Sequence, residues 1–138
     1  MNDNPFLGDW TYRSLLNESD VSKAFNDLEF GRGTLTIAEA PFAQLTGVIG
    51  GPGWSLELAG SREYGTPMRA RFQGRGLVGG EEWIYDYEGY LVSHWPNGVQ
   101  QRPAIVGSVI RTISHSGGAP GTVAPAGVVG SFYAVKAD

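Results

Sequence analysis

Apolar and polar residues alternate along much of the chain with a period of two, the signature of half-buried strands rather than amphipathic helices. Trp54, Leu56 and Leu58 alternate with Ser55 and Glu57, and Leu35 and Ile37 stand between Thr34 and Thr36. Met68, Ala70 and Phe72 alternate with Arg69 and Arg71, while Trp83, Tyr85 and Tyr87 share their stretch with Asp86 and Glu88. Turn signals divide the chain into eight predicted strands at 8–16, 33–39, 44–50, 54–61, 68–76, 81–91, 103–115 and 127–136. The connections 40–43, 51–53, 62–67 and 77–80 are short and rich in Gly or Pro. Connections that short make consecutive strands antiparallel neighbours. Helical spacing occurs at 19–28, where Ser19 or Asp20 can cap a turn or two and Val21, Ala24, Phe25 and Leu28 recur.

The fifth and sixth strands predict their own pairing. A hairpin centred between Val78 and Gly79 sets Arg75 against Glu82, Arg71 against Asp86 and Arg69 against Glu88 on one face. The other face sets Gly74 against Trp83, Phe72 against Tyr85 and Ala70 against Tyr87. One face is then a ladder of opposite charges for solvent, and the other is aromatic and interior. A slip of one residue would turn every side chain to the wrong face, so the two faces constrain the register.

These readings predict one all-β domain spanning 1–138. Its expected form is an eight-stranded antiparallel up-and-down β-barrel, because closing a long twisted meander removes both free edges and buries one face. Closure pairs the first strand with the last. A β-sandwich is the alternative, with 17–32, 92–102 and 116–126 as the connections long enough to cross between sheets.

Gly8-Asp9-Trp10, near the start of the chain, resembles the Gly-x-Trp opening of the calycins, the lipocalin, fatty-acid-binding and avidin or streptavidin group of small barrels. The resemblance implies that Trp10 sits at the closed end of the barrel under a basic side chain from a late strand. Lys136 is the basic residue of the predicted last strand. The chain departs from the lipocalin pattern in lacking cysteines and a second lipocalin motif. Thr11, Tyr12, Arg13 and Ser14 do not reproduce the biotin-binding polar set of avidin, so biotin binding is not implied.

Composition narrows the function. With 138 residues, 21 glycines, 8 prolines and only 17% charged residues, the chain suits short strands joined by tight turns. A net charge of -4 gives no electrostatic reason to expect a nucleic-acid partner. The absence of cysteine removes disulfides, thiolate metal sites and cysteine nucleophiles. No apolar run approaches the roughly 20 residues of a membrane span. The polar, acidic residues 1–6 do not read as a secretory signal, so a soluble cytoplasmic protein is expected.

The candidate chemistry lies inside the barrel. Phe72, Trp83, Tyr85 and Tyr87 would line a pocket for a small hydrophobic molecule, with the tyrosine hydroxyls orienting it. The same aromatic set equally serves as an ordinary packed core. His94-Trp95-Pro96-Asn97-Gly98 marks a turn between the sixth and seventh strands, placing His94 and Trp95 at a barrel mouth. There His94 could act as an acid or base, and Gln100, Gln101 and Arg102 could hold an anionic group. His94 and His115 have no spacing that suggests a shared metal, and neither a metal nor a cofactor is expected. The paired glycines at 50–51, 79–80 and 117–118 read as turns rather than phosphate loops, and no nucleophile elbow is present.

Three functions fit: a non-catalytic barrel binding a small hydrophobic ligand; a barrel isomerase or cyclase, by analogy with allene oxide cyclase; and a structural or partner-binding barrel with a filled interior. No catalytic residue is assigned. The strands 103–115 and 127–136 carry apolar residues on both faces, including Val106, Ile110, Val129 and Tyr133 beside Ile105 and Val109. Such a pair would expose an apolar patch, which predicts a homodimer packing these strands face to face.

Overall fold

The computed structural model, which describes residues 4–92 and 94–137, is all-β and closes into an antiparallel barrel of eight strands. The strands are β1 (Gly8–Leu16), β2 (Glu29–Ala40), β3 (Gln44–Gly51), β4 (Trp54–Glu63), β5 (Arg69–Val78), β6 (Glu81–Leu91), β7 (Ala104–Arg111) and β10 (Val129–Lys136). Around the barrel they run β1-β10-β7-β6-β5-β4-β3-β2, so the first and last strands pair and close the sheet. A small hairpin of β8 (His115–Ser116) and β9 (Val123–Ala124) intervenes between β7 and β10. No helix among the described residues is long and apolar enough to cross a membrane.

Two sequence expectations need correction. The helical spacing at 19–28 yields only a 3-10 turn, Phe25–Leu28, and none of its residues is buried. The apolar stripe does not enter the core: Val21 is exposed, Phe25 lies under the Arg13 guanidinium at 4.5 Å, and Asp20 accepts hydrogen bonds from the backbone N–H and hydroxyl of Ser22. The predicted seventh strand ends at Arg111 rather than at 115, because the chain leaves the barrel there to form the hairpin.

The register of the β5–β6 hairpin also differs. Gly79 and Gly80 both take positive φ, 59° and 82°, and form a two-residue turn flanked by the pair Val78 and Glu81. This moves the pairing by two residues, setting Arg71 against Glu88, Phe72 against Tyr87 and Gly74 against Tyr85. A shift of two preserves both faces and changes only the partners. Arg69 reaches Glu88 diagonally at 3.1 Å and Glu63 at 2.8 Å, Arg75 reaches Glu82 at 4.0 Å, and Arg71 meets Glu88 at 3.8 Å instead of Asp86. Asp86 accepts from Gln73 and Thr112.

One end of the barrel is plugged. Phe6 and Trp10 are fully buried there, with Trp10 Nε1 donating to the Phe6 carbonyl at 3.0 Å. Lys136 Nζ stands 4.9 Å above the centre of the Trp10 ring and donates to the Leu7 carbonyl. This is the arrangement that the Gly-x-Trp resemblance implies. The strand directions put the other end where β1, β3, β5 and β7 finish and β2, β4, β6 and β10 begin.

Candidate ligand site

A cavity of about 110 Å³ occupies the barrel towards this second end. Tyr12 and Ser14 of β1, Phe30 and Gly31 of β2, and Trp54 of β4 form one side of its wall. Trp83, Tyr85 and Tyr87 of β6 and Val109 of β7 form the other. Period-two alternation explains the set: Trp10, Tyr12 and Ser14 follow one another on the inner face of β1, as Trp83, Tyr85 and Tyr87 do on β6. Gly31 pairs with Ser14 across β1 and β2, and a Cβ built on it would meet Ser14 Oγ at 3.2 Å and Tyr12 Cε2 at 3.7 Å. The missing side chain at Gly31 therefore keeps this wall open.

Aromatic contacts build the floor. Tyr12 and Tyr87 meet edge to face at 6.1 Å, Phe72 stacks on Tyr87 at 5.2 Å, and Phe132 lies 5.7 Å from Tyr12. Burial drives the Tyr87 phenol far above its ordinary range, with Tyr12 and Tyr85 adding to the effect. Tyr12 is raised for the same reason, against a contribution from the neighbouring Ser14 hydroxyl, which lies close but outside hydrogen-bond geometry. Both floor phenols are therefore neutral polar groups at any physiological pH. Ser14 is 0% exposed, and its Oγ makes no hydrogen bond with any described residue. A buried hydroxyl without a partner costs about 1–3 kcal/mol, so a polar group in the cavity has a ready partner there.

At the rim, three side chains form a directed chain of hydrogen bonds. His115 Nδ1 lies 2.9 Å from the Ser116 carbonyl, which can only accept, so Nδ1 carries the hydrogen. In the neutral ring Nε2 then accepts, and the Tyr85 hydroxyl, 2.8 Å away, donates to it. Arg111 Nε donates to the same phenol oxygen at 2.9 Å, while Arg111 Nη1 donates to the Pro125 carbonyl at 3.1 Å. The His115 ring stacks on Trp83 with centroids 4.0 Å apart, and the Arg111 guanidinium lies 4.9 Å from the centre of the Phe30 ring. The β8–β9 hairpin is thereby fastened to the cavity wall.

Of the six residues predicted to line a pocket, Trp83, Tyr85 and Tyr87 do so. Phe72 packs beneath the floor against Tyr87 rather than on the cavity surface. His94 and Trp95 sit at the plugged end of the barrel, away from the cavity. The β6–β7 connection leaves the barrel opposite the open wall, so the mouth inferred from its turn residues is at the wrong end. His94 borders a separate cleft with Pro5, Thr66, Met68 and Pro103. Trp95 is 67% exposed, and its backbone N–H and carbonyl both bond the Gln101 side-chain amide. Arg102 Nε donates to the Lys136 carbonyl.

Sequence reasoning missed Tyr12, Ser14, Phe30 and Gly31 as lining residues, and Arg111 and His115 as their neighbours. Tyr12 and Ser14 were within reach, since they share alternation with Trp10. Arg111 was within reach on the same ground, since it shares alternation with Ile105 and Val109, but His115 was not, because reading 103–115 as one straight strand conceals the turn that brings His115 back over Trp83. No protein family, curated relative or solved structure matches the chain.

Proposed function

We propose that the protein is a binding barrel for one small, mainly apolar molecule carrying a polar group, with calycin-like organisation. The observation that carries this reading is the cavity of about 110 Å³, walled by aromatic rings and faced by the fully buried, unpartnered Ser14 hydroxyl. Its size is of the order of the apolar protein cavities that admit a single benzene ring, and it is far too small for a long acyl chain. The ligand class is accordingly a single ring with a short polar substituent. Lys136 over Trp10 at the plugged end supports the calycin comparison on geometry rather than on sequence similarity.

Ring-bearing fragments such as p-cresol and toluene test the reading by saturation-transfer NMR and by shifts of the indole N–H signals of Trp54 and Trp83. Saturable binding that weakens at least threefold in Gly31→Ala supports it, because the added methyl enters the cavity. Absence of binding by any single-ring probe, with no retained small molecule in a native mass spectrum of protein from its own host, refutes it.

The outer face of β7 and β10 supports a second proposal, a homodimer. Ile105, Val109, Phe132 and Ala134 are buried inside the barrel, which turns Val106, Ile110, Val129 and Tyr133 outward. Val129 pairs with Ile110 and Tyr133 with Val106, and the pair Ser131 and Ser108 lies between these two apolar pairs on the same face. A second copy of the same face offers them an apolar partner.

A further inference from the structure

We propose that the cavity takes up its ligand through an acidic hydroxyl, of a phenol or an enol, and that Tyr85 and His115 relay the proton out of the barrel. The inference rests on the binding reading above and adds the chemistry of the bound group. Its basis is direction. The Tyr85 hydrogen is committed to His115 Nε2 and one oxygen lone pair to Arg111 Nε–H, at 2.8 and 2.9 Å. Tyr85 lines the cavity, and its phenol oxygen has one lone pair left and no hydrogen to offer. A ligand group that meets Tyr85 must therefore be a donor.

When that donor is acidic, the chain can carry its proton away. The ligand O–H bond breaks as a new O–H forms on Tyr85, and the original Tyr85 O–H breaks as an N–H forms on His115 Nε2. The products are a ligand oxyanion, an unchanged tyrosine and an imidazolium, with no change in redox state or total charge.

The surroundings suit that charge distribution. Arg111 approaches from β7 and makes no ion pair among the described residues, so its positive charge remains available to the oxyanion through Tyr85. From β6, Glu81 accepts the Ser116 N–H at 3.2 Å and interacts favourably with a positive His115. The other titratable groups of the cavity, Tyr12 from β1 and Tyr87 from β6, are neutral phenols. His115 is 8% exposed and belongs to the hairpin outside the barrel, so the transferred proton comes to rest beyond the barrel wall. Tyr85 is the ligand-contacting group; His115 and Arg111 act through it.

4-Nitrophenol is a direct probe, because its ring matches the cavity class and its phenolate has its own absorption band. Quenching of tryptophan emission measures binding, and absorbance of the bound compound across pH measures ionisation. The expected result is saturable quenching, with half-conversion to phenolate at a pH about one unit below that of free 4-nitrophenol. His115→Gln and Tyr85→Phe should each return half-conversion to the free value, with saturable quenching still measurable in His115→Gln. If His115→Gln loosens the hairpin, Tyr85→Phe tests the same relay from within the barrel. Binding with an unshifted titration, or a shift that persists in both variants, overturns the relay and leaves the binding reading intact. No saturable quenching overturns both.

Discussion

The His115 imidazole lies nearly parallel to the Trp83 indole, with 4.0 Å between ring centroids and 11° between planes. The same imidazole bonds the Tyr85 hydroxyl, so one residue of a two-residue strand touches two consecutive inner positions of β6. Stacking and hydrogen bonding together help anchor a short hairpin that pairs His115 with Ala124 and Ser116 with Val123. His115→Ala should cost about 1–2 kcal/mol globally, and should accelerate amide exchange at Gly117 and Thr122 far more than in β6. Equal acceleration in hairpin and barrel would show that the hairpin is not held by this residue.

The two faces of β5 predict unequal mutational costs. Phe72 is buried against Tyr87, whereas Arg71 is exposed and only 3.8 Å from Glu88. Phe72→Ala should lose about 3–5 kcal/mol and Arg71→Ala under about 1 kcal/mol in urea unfolding. Comparable losses would contradict the assignment of inner and outer faces.

Alkaline pH should unfold the protein through its buried phenols. Tyr12 and Tyr87 hold their protons in the folded state at pH values where an unfolded chain, titrating near 10.0, has begun to release them. The folded state thus binds more protons, and stability falls as pH rises above about 10. Below that value both states keep the proton and these groups add no pH dependence. Urea midpoints measured between pH 9 and 12 should decline, and a Tyr12→Phe, Tyr87→Phe double variant should decline less steeply.

Light scattering at micromolar concentration tests the apolar face of β7 and β10. The homodimer proposal requires about twice the chain mass of 14.8 kDa, reduced towards that mass by Val106→Lys. A wild-type mass of 14.8 kDa removes the proposal.

Alternation in Leu35 to Ile37, Trp54 to Leu58 and Trp83 to Tyr87 was sufficient to read the barrel and its inner face, because a strand's side chains can point in only two directions. Short Gly- and Pro-rich turns supplied the strand order for the same local reason. The β5–β6 partners were not readable, since registers two residues apart present identical faces; the left-handed conformations of Gly79 and Gly80 decided between them. Nor was the position of the site. Which end is plugged depends on Phe6 and Trp10 packing beneath Lys136, and which wall is open depends on Gly31 lying opposite Ser14. Arg111 and His115 converge on Tyr85 from separations of 26 and 30 residues. Arg111 is the direct cross-strand partner of Tyr85, in a β6–β7 register that the long connection between these strands leaves open, and His115 arrives only through the return of a hairpin, so neither contact is set by a local run of residues.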